Sequence, residues 1–213
     1  MIMKENKPML IGLCGRSGSG KGYVSRLFAR HGIPAIDTDA VYRDLTAPAN
    51  KLSPCMTEIV SRFGAEAALS DNSLNRVYLR SIVFSGDSEA LADLNGITHK
   101  YILEETMNRV RDYFENGDSI IIIDAPLLFE SNFSSICEFI VCVVAPEDIS
   151  LRRIIERDGI SREAALKRLN TQISNEELAE RSDVVILNDD TDRVKSEVEA
   201  LAKRIREINS SKL

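Results

Sequence analysis

Eight residues, Gly15 to Gly22, read GRSGSGKG and directly follow an apolar run from Met9 to Cys14. Glycines at this density let successive backbone N–H groups converge on phosphate oxygens without obstruction from a Cβ. Lys21 adds a point charge for the terminal phosphates. The helix expected to start there, with Val24, Leu27 and Phe28 on one face, presents the positive end of its dipole. The spacing G-x-x-x-x-G-K is that of a P-loop, with Ser17, Gly18, Ser19, Gly20, Lys21 and Gly22 as the expected ATP contacts. One position departs from the pattern: residue 22 is Gly, where a Ser or Thr hydroxyl ordinarily ligates Mg²⁺. Ser25 lies nearly a turn too far along to replace it, so either water takes that coordination position or the metal binds weakly.

Two acidic sites fall at the C-terminal ends of apolar runs, where open α/β sheets bind ligands. The run Ile33 to Ile36 leads into Asp37-Thr38-Asp39, with Arg43 one turn after Asp39. The run Ile120 to Ile123 ends at Asp124, followed by Ala-Pro-Leu-Leu-Phe-Glu130. In phosphoryl transfer one carboxylate orients or deprotonates the attacking hydroxyl, and another holds Mg²⁺ through water. Asp37 or Asp39 can equally cap the helix that begins near Val41. A third group is basic: six Arg or Lys residues against three acidic ones between Arg152 and Arg168. Arg153 and Arg157 form an i,i+4 pair that points away from the face of Leu151, Ile154 and Ile155, and Arg168 with Gln172 repeats the design. Two helices joined by Asp158-Gly159-Ile160-Ser161 would bring guanidinium groups to one concave side. Such a lid can close over ATP, exclude water and stabilise the transferring phosphoryl group.

Positioning these groups requires strands and helices in alternation. Five β-branched-rich runs (9–14, 33–36, 120–123, 139–144 and 184–187) are of strand length, with helical patterns between them. Near-continuous apolar strands of this kind predict a parallel sheet covered on both faces, hence an α/β fold. Val194, Val198, Leu201, Ile205 and Ile208 predict a closing amphipathic helix. The long stretch between the second and third runs contains helical patterns over 74–84 and 89–114, a substrate-side insert. The 213 residues suffice for one well-buried core, and 44% hydrophobic with 28% charged residues exclude a disordered chain. A net charge of -6 gives no general reason to expect nucleic acid or an anionic membrane as partner. Nothing reads as a membrane span or a signal-peptide core, so a cytoplasmic setting is expected. Four cysteines without a CxxC pair and two histidines, His31 and His99, argue against a disulfide framework or a zinc site. Cys14 and Cys142 read as small core residues, and His31 as a cation at a helix end.

The order of these pieces resembles the dephospho-coenzyme A kinases. The likeness rests on GRSGSGKG, DTDAVYR at 37–43, LNRVYLRSIVF at 74–84, LNGITH at 94–99 and DAPLLFE at 124–130. In the C-terminal part it rests on Arg153, Arg157, Arg168, Gln172, Asp183 and Asn188. The resemblance implies a three-layer P-loop kinase core with a five-stranded parallel sheet, a helical substrate-binding insert and a small helical lid. These form a single domain, with core 9–50, 117–150 and 183–213, insert 51–116 and lid 151–182. It also implies phosphorylation of the ribose 3′-hydroxyl of dephospho-coenzyme A by ATP with Mg²⁺, the last step of coenzyme A synthesis. Lys21, Asp37 and Arg153 would then carry catalysis, with Asp37 activating the 3′-hydroxyl. Arg157 and Asn188 would join the loop in binding ATP, while Asp39, Arg43, Arg76, Arg80 and His99 would lie toward the acceptor. Asp124 would hold the metal through water, and His99 stands between substrate contact and a structural hydrogen bond. Departures from the family pattern are Lys100 for a proline, Leu178 for a lysine, and Asn188-Asp189-Asp190 for an Asn-x-Gly turn. A nucleoside or nucleotide kinase with another acceptor, and a nucleotide-binding protein with weakened catalysis, are the alternatives; Gly22 is the main support for the latter.

Overall fold

The computed structural model describes residues 8–83 and 88–211. Its strands are β1 (Met9–Cys14), β2 (Ala35–Asp37), β3 (Ile120–Asp124), β4 (Phe139–Val144) and β5 (Val184–Leu187). Its helices are α1 (Lys21–Arg30), α2 (Thr38–Leu45), α3 (Pro54–Phe63), α4 (Arg76–Val83), α5 (Ser88–Glu115), α6 (Glu147–Asp158), α7 (Arg162–Asn170), α8 (Asn175–Glu180) and α9 (Thr191–Ser210). The strands form one all-parallel sheet in the order β2-β3-β1-β4-β5. Every residue of β1 and β3 is buried, which is why both strands read as unbroken apolar runs rather than alternating ones.

The chain divides into two compact units, one formed by residues up to Asp37 and from Val110 onward, the other by Thr38–Arg109. In the first, Met9, Ile11 and Leu13 of β1 turn to one face of the sheet. There they meet Val24, Leu27 and Phe28 of α1 and Val194, Val198, Leu201 and Ile205 of α9. Each such side chain taken fully out of water contributes roughly 2 kcal/mol, so this face is a large source of the unit's stability. The other face is covered closely by the segment after β3: a Cβ added to Gly12 would stand 2.8 Å from Leu128 Cδ2 and 3.2 Å from Cys137 Sγ. Cys14 and Cys142 are buried register partners on β1 and β4, as small core residues should be.

One strand departs from its expected bounds. The run 33–36 predicts a strand, whereas β2 covers Ala35–Asp37. Pro34 has no N–H to donate, although its carbonyl accepts from Ile122 N at 2.8 Å, and Ile33 is spent on the α1/α9 core instead. The shift brings Asp37 itself into the ladder.

The expected lid of two helices contains three, because the short α8 precedes β5. Its first joint forms as expected: Gly159 ends α6 at φ 63°, and Ser161 starts α7 by accepting from Ala164 N at 3.2 Å. Leu178 is buried within α8. Asp190, a departure from the family's turn, caps α9 by accepting from Asp192 N and Arg193 N at 3.0 and 2.9 Å.

The second unit is helical, around Cys55, Met56, Ile59, Phe63, Leu74 and Leu79. It includes α2 and α3; the latter starts with Ser53 accepting from Met56 N at 3.1 Å and Pro54 at its first turn. The pattern over 74–84 becomes α4 from Arg76, because Asn75 Oδ1 accepts from Tyr78 N at 3.1 Å and so caps the helix. Phe84 lies outside the described residues. Helix α5 runs unbroken through Lys100, where a proline would remove an internal hydrogen bond. Lys100 Nζ and Tyr101 Oη each donate to Glu58 Oε2 at 2.8 Å, tying α5 to α3.

Candidate active site

The loop between β1 and α1 is closed from behind by groups remote in sequence. Asn188 follows β5 and is set there by its own N–H, which donates to Val144 O at 2.7 Å. Its side chain is buried, and Nδ2 donates to Ser19 O at 2.7 Å. Arg153 on α6 donates from Nη1 to Gly18 O at 3.2 Å and to Ser19 O at 3.3 Å. With the Gly18 and Ser19 carbonyls satisfied by side-chain donors, the chemistry left for the loop to offer an anion is that of its remaining N–H groups, as a nest requires. Gly20 and Gly18 of the loop are sterically obligatory. Gly20 has φ 87° and a Cβ there would lie 1.9 Å from Asn188 Nδ2; Gly18 has φ 77° and a Cβ there would lie 2.4 Å from Ser150 O. Ser19 Oγ is buried with no hydrogen-bond partner among the described residues.

Two further contacts bind the loop to the lid helices. Ser17 N donates to Gln172 Oε1 at 3.0 Å, and the Arg16 guanidinium donates to Leu169 O. Sequence reading missed Arg16 altogether. Its partner is a backbone carbonyl on α7, remote in sequence, which leaves no trace in residue type. Gln172 carries a signal through its i,i+4 spacing from Arg168 and through its place in the family resemblance.

The lid arginines divide. Arg153 lies on the loop carbonyls. Arg157 donates to both oxygens of Asp158 (2.7 and 2.9 Å), and Arg168 pairs with the same carboxylate. Together they hold Asp158 well below the usual carboxylate range, Arg157 contributing most.

At the C-terminal edge of the sheet, Asp37 on β2 is the register partner of Asp124 on β3, and Asp124 is the register partner of Leu13 on β1. Adjacent strands lie about 4.8 Å apart, and register partners project to the same face, so the two carboxylates neighbour one another. The Lys21 ammonium contacts Asp124, with side-chain exposures of only 15% and 9%, and offsets the like-charge repulsion. Gly22, the second residue of α1, is exposed and brings no side chain to this cluster.

The acceptor candidates belong to the second unit. Asp39 lies within the first turn of α2, and Arg43, one turn later, is exposed. Arg76 and Arg80 form an exposed i,i+4 pair on α4, with the Arg76 guanidinium 5.5 Å from the Tyr42 ring centre. Burial pushes the Tyr42 hydroxyl upward. His99 is half-buried on α5, and desolvation lowers its pKa, favouring the neutral imidazole.

A parallel 2-3-1-4-5 sheet with a P-loop after its central strand, a Lys–Asp pair beside it and basic helices on its carbonyl side is the architecture of a P-loop kinase. Within that class the chain belongs to the dephospho-CoA kinase family, whose model matches residues 9–193. The dephospho-CoA kinase of Listeria innocua is 36% identical over 181 residues, covering 85% of this chain and 88% of that one. A crystal structure from Thermus thermophilus is similar with a TM-score of 0.78 and 28% identity, over 94% of this chain and 98% of the other. The dephospho-CoA kinase from Campylobacter jejuni is similar with a TM-score of 0.65 and 25% identity, over 96% and 98%. No helix among the described residues is long and apolar enough to cross a membrane.

Proposed function

We propose that this chain transfers the γ-phosphoryl group of ATP to the ribose 3′-hydroxyl of dephospho-coenzyme A, completing coenzyme A, in the cytoplasm. The observation that carries the reading is the register pairing of Asp37 with Asp124 beside Lys21, in a member of this family. The N–H groups of Gly18, Gly20, Lys21 and Gly22 and the side chains of Ser17 and Ser19 bind the phosphates, and Lys21 moves between Asp124 and the β- and γ-phosphates as nucleotide enters. Asp37 accepts the proton of the 3′-hydroxyl while its oxygen bonds to the γ-phosphorus; the bond from that phosphorus to the bridging oxygen breaks, and ADP leaves. Arg153 steadies the loop through its carbonyls, and Asn188 acts on the nucleotide through the same contact. Arg157, when it exchanges Asp158 for phosphate, adds positive charge to the transferring group. Asp39, Arg43, Arg76, Arg80 and His99 bind the acceptor, the arginines meeting its phosphates.

The donor set suits Mg²⁺. Asp124 is a hard oxygen ligand at the sheet edge, and the space at Gly22 is open enough for water: among the described residues other than the adjoining Lys21 and Tyr23 and the helix backbone, a Cβ there meets Arg26 Nη1 alone, at 3.7 Å. Asp124 would hold the ion through water, and the ion supplies neutralisation of phosphate charge when bound.

The test is ADP release by purified protein with Mg-ATP and dephospho-coenzyme A, beside adenosine, AMP and a no-acceptor control. ADP and coenzyme A formed only with dephospho-coenzyme A are expected. Turnover with another acceptor would retire the substrate assignment, and ATP binding without any turnover would favour the weakened-enzyme alternative.

A further inference from the structure

Position 22 stands at the second residue of α1, where the P-loop pattern places a metal-binding hydroxyl, and here it has no side chain. Arg26 lies one turn later on the same helix face. Helical side chains tilt toward the N-terminus, so residue i+4 leans over residue i. Its guanidinium follows that direction, and Nη1 lies 3.7 Å from where a Gly22 Cβ would be, the nearest atom among the described residues once the helix backbone and the adjoining Lys21 and Tyr23 are set aside. A hydroxyl one bond beyond that Cβ would share the same small region. Arg26 is exposed and makes no hydrogen bond or ion pair with the described residues. The other cations around the loop are engaged: Lys21 with Asp124, Arg153 with the carbonyls of Gly18 and Ser19, Arg16 with the carbonyl of Leu169.

We propose that Gly22 and Arg26 work as a pair, in which the missing side chain admits the Arg26 guanidinium to the metal side of the loop, where it neutralises triphosphate charge that a hydroxyl-held divalent cation would otherwise cover. The inference rests on the loop being the ATP site. Its consequence is that the protein holds ATP nearly as well without Mg²⁺ as with it. A guanidinium reaches phosphate oxygens as a planar, always-charged donor, so its contribution persists when the metal is stripped away. A Ser at position 22 would restore a metal ligand, and beyond a Cβ in ordinary contact with Nη1 its hydroxyl would compete with the guanidinium for the same region.

Calorimetric titration with ATP, once in EDTA and once with saturating Mg²⁺, tests this on the full chain. Arg26→Ala on an exposed helix position is expected to weaken metal-free ATP binding about tenfold, the worth of one charge-assisted contact, and Mg-ATP binding by less than about threefold. Arg26→Lys should recover part of the loss, and Gly22→Ser should lower metal-free affinity while steepening the Mg²⁺ dependence. A change below about threefold in EDTA, or equal losses in both buffers, overturns the proposal. Lys21→Ala separates the two readings. If it weakens both forms of ATP while Arg26→Ala is silent, only the role of Arg26 is retired; if both variants are silent, the loop assignment goes with it.

Discussion

Asp37 and Asp124 are paired across adjacent parallel strands, and Lys21, the last side chain of the phosphate loop, contacts the second of them. Two carboxylates on one sheet edge with a single ammonium between loop and sheet give the site its division of labour. In the proposed reaction one acid, Asp124, is tied through Lys21 to the nucleotide, and the other, Asp37, is its register partner along the edge.

That division predicts different kinetic signatures. Asp37→Asn keeps the shape but cannot accept a proton, so kcat should fall by about 10²–10⁴ with the KM for ATP nearly unchanged. Asp124→Asn should instead raise the Mg²⁺ concentration needed for half-maximal rate, by about tenfold. Steady-state ADP release across a Mg²⁺ series reads both, and identical profiles for the two variants would sink the assignment.

The contact between Asn188 and Ser19 predicts that nucleotide affinity depends on a residue far from the loop in sequence. Asn188→Ala removes a buried donor and should cost about 1–3 kcal/mol of stability and raise the KM for ATP. Gly20→Ala should be worse, since it adds about 1–2 kcal/mol of left-handed backbone strain to a direct clash with Asn188 Nδ2. Thermal melts with and without ATP check this; an unchanged ATP-dependent rise in Tm for either variant would show that the loop keeps its shape unaided.

Arg157 and Arg168 share Asp158 on the exposed surface of the lid. Surface pairs of this kind contribute little to folding, so Asp158→Asn should leave Tm nearly unchanged. Freed from its carboxylate, Arg157 becomes available to phosphate, and the KM for ATP should fall by about threefold. An increase in KM would mean that the pair orders the lid rather than restraining it.

Burial of His99 sets a pH dependence. Its folded pKa lies below the unfolded value of about 6.5, so between the two the unfolded chain binds more protons and stability rises with pH. The full contribution is present above about pH 6.5 and is lost as pH falls through that value toward the folded pKa. His99→Gln should flatten the change in Tm between about pH 7.5 and 5.5. A slope equal to that of the unsubstituted protein would place the pH sensitivity elsewhere.

Much of the site could be read before any coordinates. The glycine spacing at 15–22, the apolar runs at 9–14 and 139–144, and the Gly159/Ser161 joint each depend on residues within a few positions of one another. Such short-range preferences are written directly in residue type. The bounds of β2 slipped because Ile33 looks like strand yet serves the core, and α3 escaped notice although Ser53-Pro54 is a sound helix start. Lys100 and Asp190, which read as departures from the family pattern, have clear structural work in tying α5 to α3 and capping α9.

The sequence by itself determined the class of sheet, the phosphate loop, the acids that end two of its strands and the basic character of the lid, because composition and local periodicity decide these. Only the tertiary structure decided that Asp37 registers with Asp124, that Asn188 and Arg153 both serve the Ser19 carbonyl, that Gln172 takes the Ser17 amide, and that Arg157 answers first to Asp158. Each of these joins a polar group to one of many chemically equivalent partners. The choice is made by how distant segments pack and which carbonyls and carboxylates that packing brings within about 3 Å.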